Sequence, residues 1–171
     1  MQLQKLAIHN FRNLSSVVFS PTSGFNLFYG ENGAGKTSIL EAIHVLSHGR
    51  SFRGSSSREL IQYENNSFVV RGVTVDRGRE TSLAIERRHS TTIGKLDNEE
   101  VTAMSALSAH LPVQTVHPGS FDLLTGEPAH RRAFLDWGLY FADQFFRDQW
   151  KKYKRALSQR NAALKKHLSK A

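Results

Sequence analysis

The stretch FNLFYGENGAGKTSILEAIH, residues 25–44, constrains this chain more than any other. Gly30, Gly35, Lys36 and Thr37 match the pattern G-x-x-x-x-G-K-[ST] without a mismatch. The pattern has meaning only between a strand and a helix, and both are expected here. FNLFY is an apolar-aromatic run that reads as a buried strand. After the loop, Ile39, Leu40, Ile43 and Leu46 recur at helical spacing until Gly49, a natural stop. The glycines let the backbone wrap phosphates with its N–H groups pointing inward. The start of the helix adds the positive end of its dipole. In this pattern Lys36 reaches the β- and γ-phosphates, and the Thr37 hydroxyl binds magnesium.

Hydrolysis asks for more: a carboxylate that holds magnesium and polarises water, usually placed after four apolar residues. VTVD ends at Asp76 but runs into the turn RGRE. AFLD ends at Asp136 within a helical pattern, and Trp137 follows. Neither fits. An LSGGQ-like segment, which in ABC-type ATPases caps the γ-phosphate of a neighbouring subunit, is also missing; LTGEP and SHGRS are poor substitutes. The chain is therefore expected to bind ATP and Mg2+ without hydrolysing ATP. If it did hydrolyse ATP, Asp136 and Glu41 would be the first residues to examine.

The 171 residues suit one domain, or one domain and the start of another. Apolar content of 39% can build a core, and the lack of cysteine excludes disulfides and thiolate metal sites. No run suits a signal peptide or approaches the ~18–20 apolar residues of a membrane span. A soluble, cytoplasmic protein with no membrane partner is expected. The net charge of +8 is unevenly placed. Residues 147–171 hold nine of the 23 Lys/Arg residues and one acid, Asp148, so the whole excess lies there. Such a segment either meets a polyanion or is a solvated face.

Elsewhere, LQKLAIHN reads as a strand, FRNL as a turn and VVF as a second strand. FVVRGVTV, TSLAIER and TTIGKL are β-prone runs separated by DRGRE and RHS, the pattern of an antiparallel meander. VTAMSALSAH reads as a short helix and LPVQTVHPGS as an extended run with a turn. EPAHRRAFLDWGLYF reads as a helix that begins near Pro128. Phe146, Trp150, Tyr153, Leu157, Leu164 and Leu168 form a helical stripe through residues 143–171. The histidines show no pair at metal-ligand spacing, and no Ser-His-Asp arrangement stands out.

HNFRNL, GENGAGKTSILEAI, HGRSFR (48–53), VQTVHPGSFDLLTGEPAHRRAFLDWG and KRALSQRNAALK follow one another along nearly all of the chain. In these segments and their order the chain resembles the N-terminal part of the RecF family of recombination mediators, in the SMC-like branch of ABC-type ATPases. The RR-x-FLD and RNAAL segments are more specific than the loop. The resemblance implies an α/β fold: a P-loop ABC-type ATPase head holding most of lobe I, with a mixed sheet and an antiparallel meander, plus the start of a helical lobe II. It implies an incomplete domain, with residues 1–142 in lobe I and 143–171 as the first helix of lobe II. The signature segment and the magnesium carboxylate would lie in a far half of the protein.

The same resemblance implies a protein of DNA replication, repair and the SOS response. Such a protein binds ATP, dimerises through it, hydrolyses it slowly under DNA stimulation, and binds duplex DNA and its junctions with single strands. It acts with RecO and RecR to load RecA on gapped DNA. For individual residues the resemblance implies nucleotide contact by Gly30, Glu31, Asn32, Gly33, Ala34, Gly35, Lys36, Thr37 and Ser38, with Asn32 aimed at the γ-phosphate. It adds Arg12 and Asn13 at the nucleotide, and Gln114 with Thr37 at magnesium. His117-Pro118-Gly119 departs from the Pro-Glu-Asp style of many members and leaves the local loop geometry open.

DNA contact is expected from Arg131, Lys151, Lys152, Lys154 and Arg155. Arg131 and Arg132 point about 100° apart on a helix, so one can anchor the helix while the other faces a partner. Arg50 and Arg53 flank the serine-rich stretch SFRGSSSRE, where phosphate contact and a plain surface loop remain equally open. The alternatives are another SMC-like ATPase head, a P-loop kinase or GTPase, or a module that only binds DNA or RecR. The chain lacks the N-K-x-D base-reading motif and any acceptor-site motif that a GTPase or kinase would carry.

Overall fold

In the computed structural model, residues 1–54, 57–88 and 91–168 are described. They fall into two compact units, Met1–Thr115 and Val116–Ala171.

The first unit is built on a six-stranded sheet in the order β2-β1-β3-β4-β5-β6. The strands are β1 (Gln2–Phe11), β2 (Leu14–Phe19), β3 (Ser67–Asp76), β4 (Arg79–Arg88), β5 (Thr91–Leu96) and β6 (Glu99–Glu100). All five pairings are antiparallel. The expected meander is β3–β4–β5. In its first turn, within DRGRE, Arg77 and Gly78 adopt positive φ. The second expected turn, RHS, runs into residues 89 and 90, outside the described residues. A further tight turn at Asp97 and Asn98, also at positive φ, leads from β5 to β6. The FRNL turn closes the β1–β2 hairpin, with Phe11 opposite Leu14.

Alternation along the strands buries one face. Leu6 and Ile8 of β1, Phe68 and Val70 of β3, and Leu83 and Ile85 of β4 are buried. Helices α1 (Lys36–His48) and α2 (Ser105–His110) contribute Ala42, Val45, Leu46 and Leu107 to the same core. The approach of α1 is close at Gly72, where a Cβ would stand 2.8 Å from Leu46 Cδ2. Two buried serines tie the helices together: Ser47 Oγ donates to the Leu111 carbonyl and Ser108 Oγ to the Ser47 carbonyl. As expected, α1 stops at Gly49, whose φ of 71° lets its N–H reach the Val45 carbonyl.

One expectation fails. FNLFY is not a buried strand: residues 25–29 form no strand, and Phe25, Leu27 and Tyr29 are 105%, 84% and 88% exposed. A strand exists only through the neighbours that pair with its N–H and C=O groups, and the described residues supply none. Phe28 alone turns inward, edge-to-face against Phe19 at 5.4 Å. The run at residues 112–117 likewise forms no strand, with Val113 packed against the core and Val116 85% exposed. The parallel portion of the expected mixed sheet is thus not formed among the described residues.

In the second unit a short 3-10 turn (Pro118–Phe121) and α3 (Asp122–Thr125) lead to α4 (Pro128–Ala142) and α5 (Gln144–Leu168). Proline opens α4 as expected. The Asp143 carboxylate accepts the Phe145 N–H at the head of α5. Trp150 Nε1 donates to Asp136 Oδ2 at 3.0 Å, joining α5 to α4. Arg147 Nε donates to the Tyr140 carbonyl, and its guanidinium stands 5.1 Å from the Tyr140 ring centroid. Along the stripe Phe146, Trp150 and Leu157 are half-buried, whereas Tyr153 and Leu164 are exposed. The Leu168 side chain lies outside the described residues.

Candidate functional site

The loop at Gly30–Ser38 has its shape because three glycines accept positive φ: 144° at Gly30, 87° at Gly33 and 93° at Gly35. Gly35 is the N-cap of α1, without a side-chain cap and with no acid in the first turn. The start of the helix therefore has neither a side-chain cap nor an acid to offset its dipole, the arrangement that receives an anion. The Thr37 side chain is exposed at this opening. Lys36 Nζ donates to the carbonyls of Gly30 and Glu31, both at 2.8 Å. Its ammonium thus lies over the loop. Glu31, Asn32, Gly33 and Ala34 form the exposed rim, and Ser38 is buried beneath it.

The β1–β2 turn closes the site from below. Asn13 Nδ2 donates to the Gly33 carbonyl at 2.6 Å, and Asn13 Oδ1 accepts from Ser38 Oγ at 2.7 Å. Asn13 therefore bridges the rim of the loop to its base. Arg12 precedes it in the same turn and is bonded to Glu41 and Glu59. Its Nε and Nη2 make a two-pronged bond to Glu41 at 3.0 and 2.7 Å, and Nη1 donates to the Glu59 carbonyl.

Glu41 is fully buried on α1. It also accepts from Ser51 Oγ and lies 4.0 Å from Arg53 Nε. Burial by itself would raise its pKa. The hydrogen bonds from Arg12 and Ser51 and the charges of Arg12 and Arg53 outweigh burial, holding the carboxyl below its ordinary value. Arg53 thereby has a partner within the chain, whereas residues 55 and 56 of the serine-rich loop lie outside the described residues. The Arg12–Glu41 pair escaped the sequence reading because its members are 29 residues apart. The available signal was a single acid inside the apolar run ILEAI.

Gln114 is exposed, between Val113 in the core and Thr115, whose hydroxyl meets His44 Nδ1 of α1 at 3.0 Å. His44 stacks on His48 at 4.3 Å. Burial pushes the His48 pKa down, and the Arg50 charge adds to that.

The expected DNA contacts belong to the second unit. Arg131 Nη1 donates to the Gly126 carbonyl and so anchors the start of its own helix, while Arg132 is exposed. Lys151, Lys152, Lys154 and Arg155 are exposed on α5, with Lys154 Nζ 5.0 Å from the Trp150 ring centroid. A shallow groove of about 470 Å³ along this helix is lined by Lys154, Leu157, Ser158, Asn161, Ala162 and Lys165. Asp136, bonded to Trp150, is occupied in helix packing. Among the described residues no group of three or more His, Cys, Asp or Glu could hold a metal, and no helix is long and apolar enough to cross a membrane.

Comparison with known proteins agrees with this geometry. The family described as an AAA domain matches residues 5–167. The DNA replication and repair protein RecF of Vibrio atlanticus is 42% identical over 167 residues, covering 96% of this chain and 46% of the relative. RecF of Shewanella woodyi is 40% identical over 170 residues, covering 99% and 47%. The chain thus spans about half the length of the curated relatives it matches. A solved structure of the recombination mediator protein RecF with ATP superposes with a TM-score of 0.82 at 31% identity, over 96% of this chain and 44% of that one. An SMC ATPase structure matches at a TM-score of 0.63 and 18% identity, over 79% of this chain and 98% of that one, a likeness of fold. From the loop, the hairpin beneath it and these matches, the chain belongs to the AAA-domain family and is similar to RecF over about half of that protein's length.

Proposed function

We propose that this chain is the ATP-binding portion of a DNA replication and repair protein of the RecF type. The observation that carries the proposal is the Gly30–Ser38 loop: three left-handed glycines, an uncapped helix start, and Lys36 lying over the opening. These residues fit a nucleotide triphosphate with magnesium. The N–H groups of the loop and of the first turn of α1 would hold the phosphates, and Lys36 would turn from its own carbonyls to them. Thr37 would supply one oxygen to magnesium and Gln114 another. Bound magnesium would neutralise phosphate charge. Asn32 would face the γ-phosphate, and Asn13 would keep the rim of the loop in place.

In the whole protein, residues 1–142 would belong to lobe I and 143–171 would begin the helical lobe II. A magnesium carboxylate and a signature segment would come from further residues of such a protein, which would dimerise around ATP and hydrolyse it slowly. It would bind duplex DNA and its junctions with single strands, and act with RecO and RecR to load RecA in the cytoplasm. The RecFOR pathway named for the matched ATP complex supports this reading, and so does the SMC-like fold against a kinase or GTPase. Calorimetric titration of the chain with ATP and magnesium tests the core of the proposal. Lys36→Ala removes one charge-assisted contact and should weaken binding by about 1.5–3 kcal/mol. Equal affinity of the two proteins would refute it.

A further inference from the structure

A carboxylate buried without compensation is costly enough that a core normally excludes it or neutralises it by protonation. Glu41 is 0% exposed and stands beside Ala42 in the core face of α1. Two segments converge on its two oxygens: the distant β1–β2 turn through Arg12, and the stretch just after α1 through Ser51 and Arg53. A fork-to-fork arginine–carboxylate pair fixes direction as well as distance. What it fixes here is the turn.

Arg12 has a φ of +55°, a conformation uncommon for a residue with a Cβ. Such a conformation persists where the surroundings over-determine it. The surroundings are the Glu41 fork, the Glu59 carbonyl on Nη1, and the Leu60 carbonyl on the Arg12 N–H at 2.9 Å. The next residue, Asn13, bonds both the Gly33 carbonyl and Ser38, and Leu14 lies directly against Gly35. Arg12, Asn13 and Leu14 are consecutive, so a shift of the guanidinium displaces the two residues that touch the loop.

Resting on the nucleotide reading of the Gly30–Ser38 loop, we propose that Glu41 is a positioning residue of that site. It is a buried carboxylate that acts through Arg12 to seat Asn13 and Leu14 against the phosphate loop. Glu41 itself is five positions beyond Lys36, about 140° around α1, and acts at one remove from the ligand. Its effect on nucleotide affinity must therefore pass through Arg12.

A double-mutant cycle reads this directly. ATP–magnesium affinity is measured calorimetrically for the chain, for Glu41→Gln, for Arg12→Gln and for the pair, with thermal unfolding followed alongside. Glu41→Gln should weaken binding about ten-fold alone and less than about two-fold when Arg12 is already Gln. A merely structural role predicts a lowered unfolding temperature with affinity unchanged. Additive losses, or a lowered unfolding temperature with unchanged affinity, would overturn the proposal. Should Glu41→Gln fail to fold, Arg12→Lys decides the matter by keeping the charge and losing the fork. Several-fold weaker binding by Arg12→Lys supports positioning, and unchanged affinity overturns it. The Lys36→Ala control separates the two readings. If Lys36→Ala weakens ATP binding while Glu41→Gln does not, only the positioning role falls. If wild type and Lys36→Ala bind alike, the nucleotide reading falls and takes this proposal with it.

Discussion

Replacing Gly35 by alanine should be among the most damaging single-atom additions to this protein, and the two causes can be separated. Gly35 has a φ of 93°, which L-residues avoid at roughly 1–2 kcal/mol. The added Cβ would also stand 2.5 Å from Leu14 Cδ2, and 3.3 Å from Asn13 Nδ2. The Leu14 methyl belongs to a flexible side chain, but Leu14 is only 7% exposed and has little room to turn. Overpacking of that kind costs about 1–3 kcal/mol. Together Gly35→Ala should destabilise by about 2–5 kcal/mol, read as a lower urea midpoint at unchanged slope. Leu14→Ala alone leaves a cavity and should cost a comparable amount. Combined, the two should be less harmful than their sum by roughly 1–3 kcal/mol, because the new methyl enters the space left by the old one. The strain at φ remains in the double variant. Strict additivity would refute the account of a steric contact between loop and hairpin. A Gly35→Ala variant of wild-type stability would refute both terms.

Three further outcomes follow from the same geometry. Burial lowers the His48 pKa, so below the ordinary value near 6.5 the unfolded chain takes up its proton before the folded one. The contribution is fully present above that pH and is lost as the solution is acidified through it. Urea midpoints measured between pH 8 and 5 should fall, and His48→Leu should flatten that fall. The chain alone should release phosphate from ATP no faster than its Lys36→Ala variant, since Asp136 is bonded to Trp150 and Glu41 to Arg12; clear turnover above that control would contradict this. If the exposed cations of α5 meet DNA phosphates, a Lys151→Glu, Lys152→Glu, Arg155→Glu triple variant of the whole protein should bind duplex DNA more weakly, with a shallower salt dependence. An unchanged salt slope would make that helix a solvated face.

How far the molecule was legible in its sequence depended on how local each determinant is. The glycine conformations of the loop, the Gly49 stop, the β3–β4 turn and the Pro128 start follow from what individual residues allow at φ, so they are readable directly. FNLFY is not, because alternation and aromatic content mark a segment that suits a strand but do not supply its partners. Here Phe25, Leu27 and Tyr29 are left in solvent. Asn13 and Lys36 both bond carbonyls of the loop, and the motif's fixed spacing makes the place of Lys36 readable from the sequence. The pairing of Arg12 with a carboxylate brought in by tertiary folding from another element is not readable in this way. A charge of opposite sign inside an apolar helix stripe is the trace such a pairing leaves.

The bonds from Lys36 Nζ to the Gly30 and Glu31 carbonyls have a kinetic consequence. They tether the ammonium to the mouth of the loop, while Asn13 holds the rim from the other side. An arriving triphosphate need not wait for the backbone to find its curve, because only one flexible side chain has to swing. Less ordering is left for the moment of encounter, which favours affinity through preorganisation. The remaining barrier is the exchange of two neutral carbonyl acceptors for charged phosphate oxygens, an exchange of weaker bonds for stronger ones. Capture should therefore be quick and governed by diffusion and charge, and differences between nucleotides should be expressed in how slowly each one leaves.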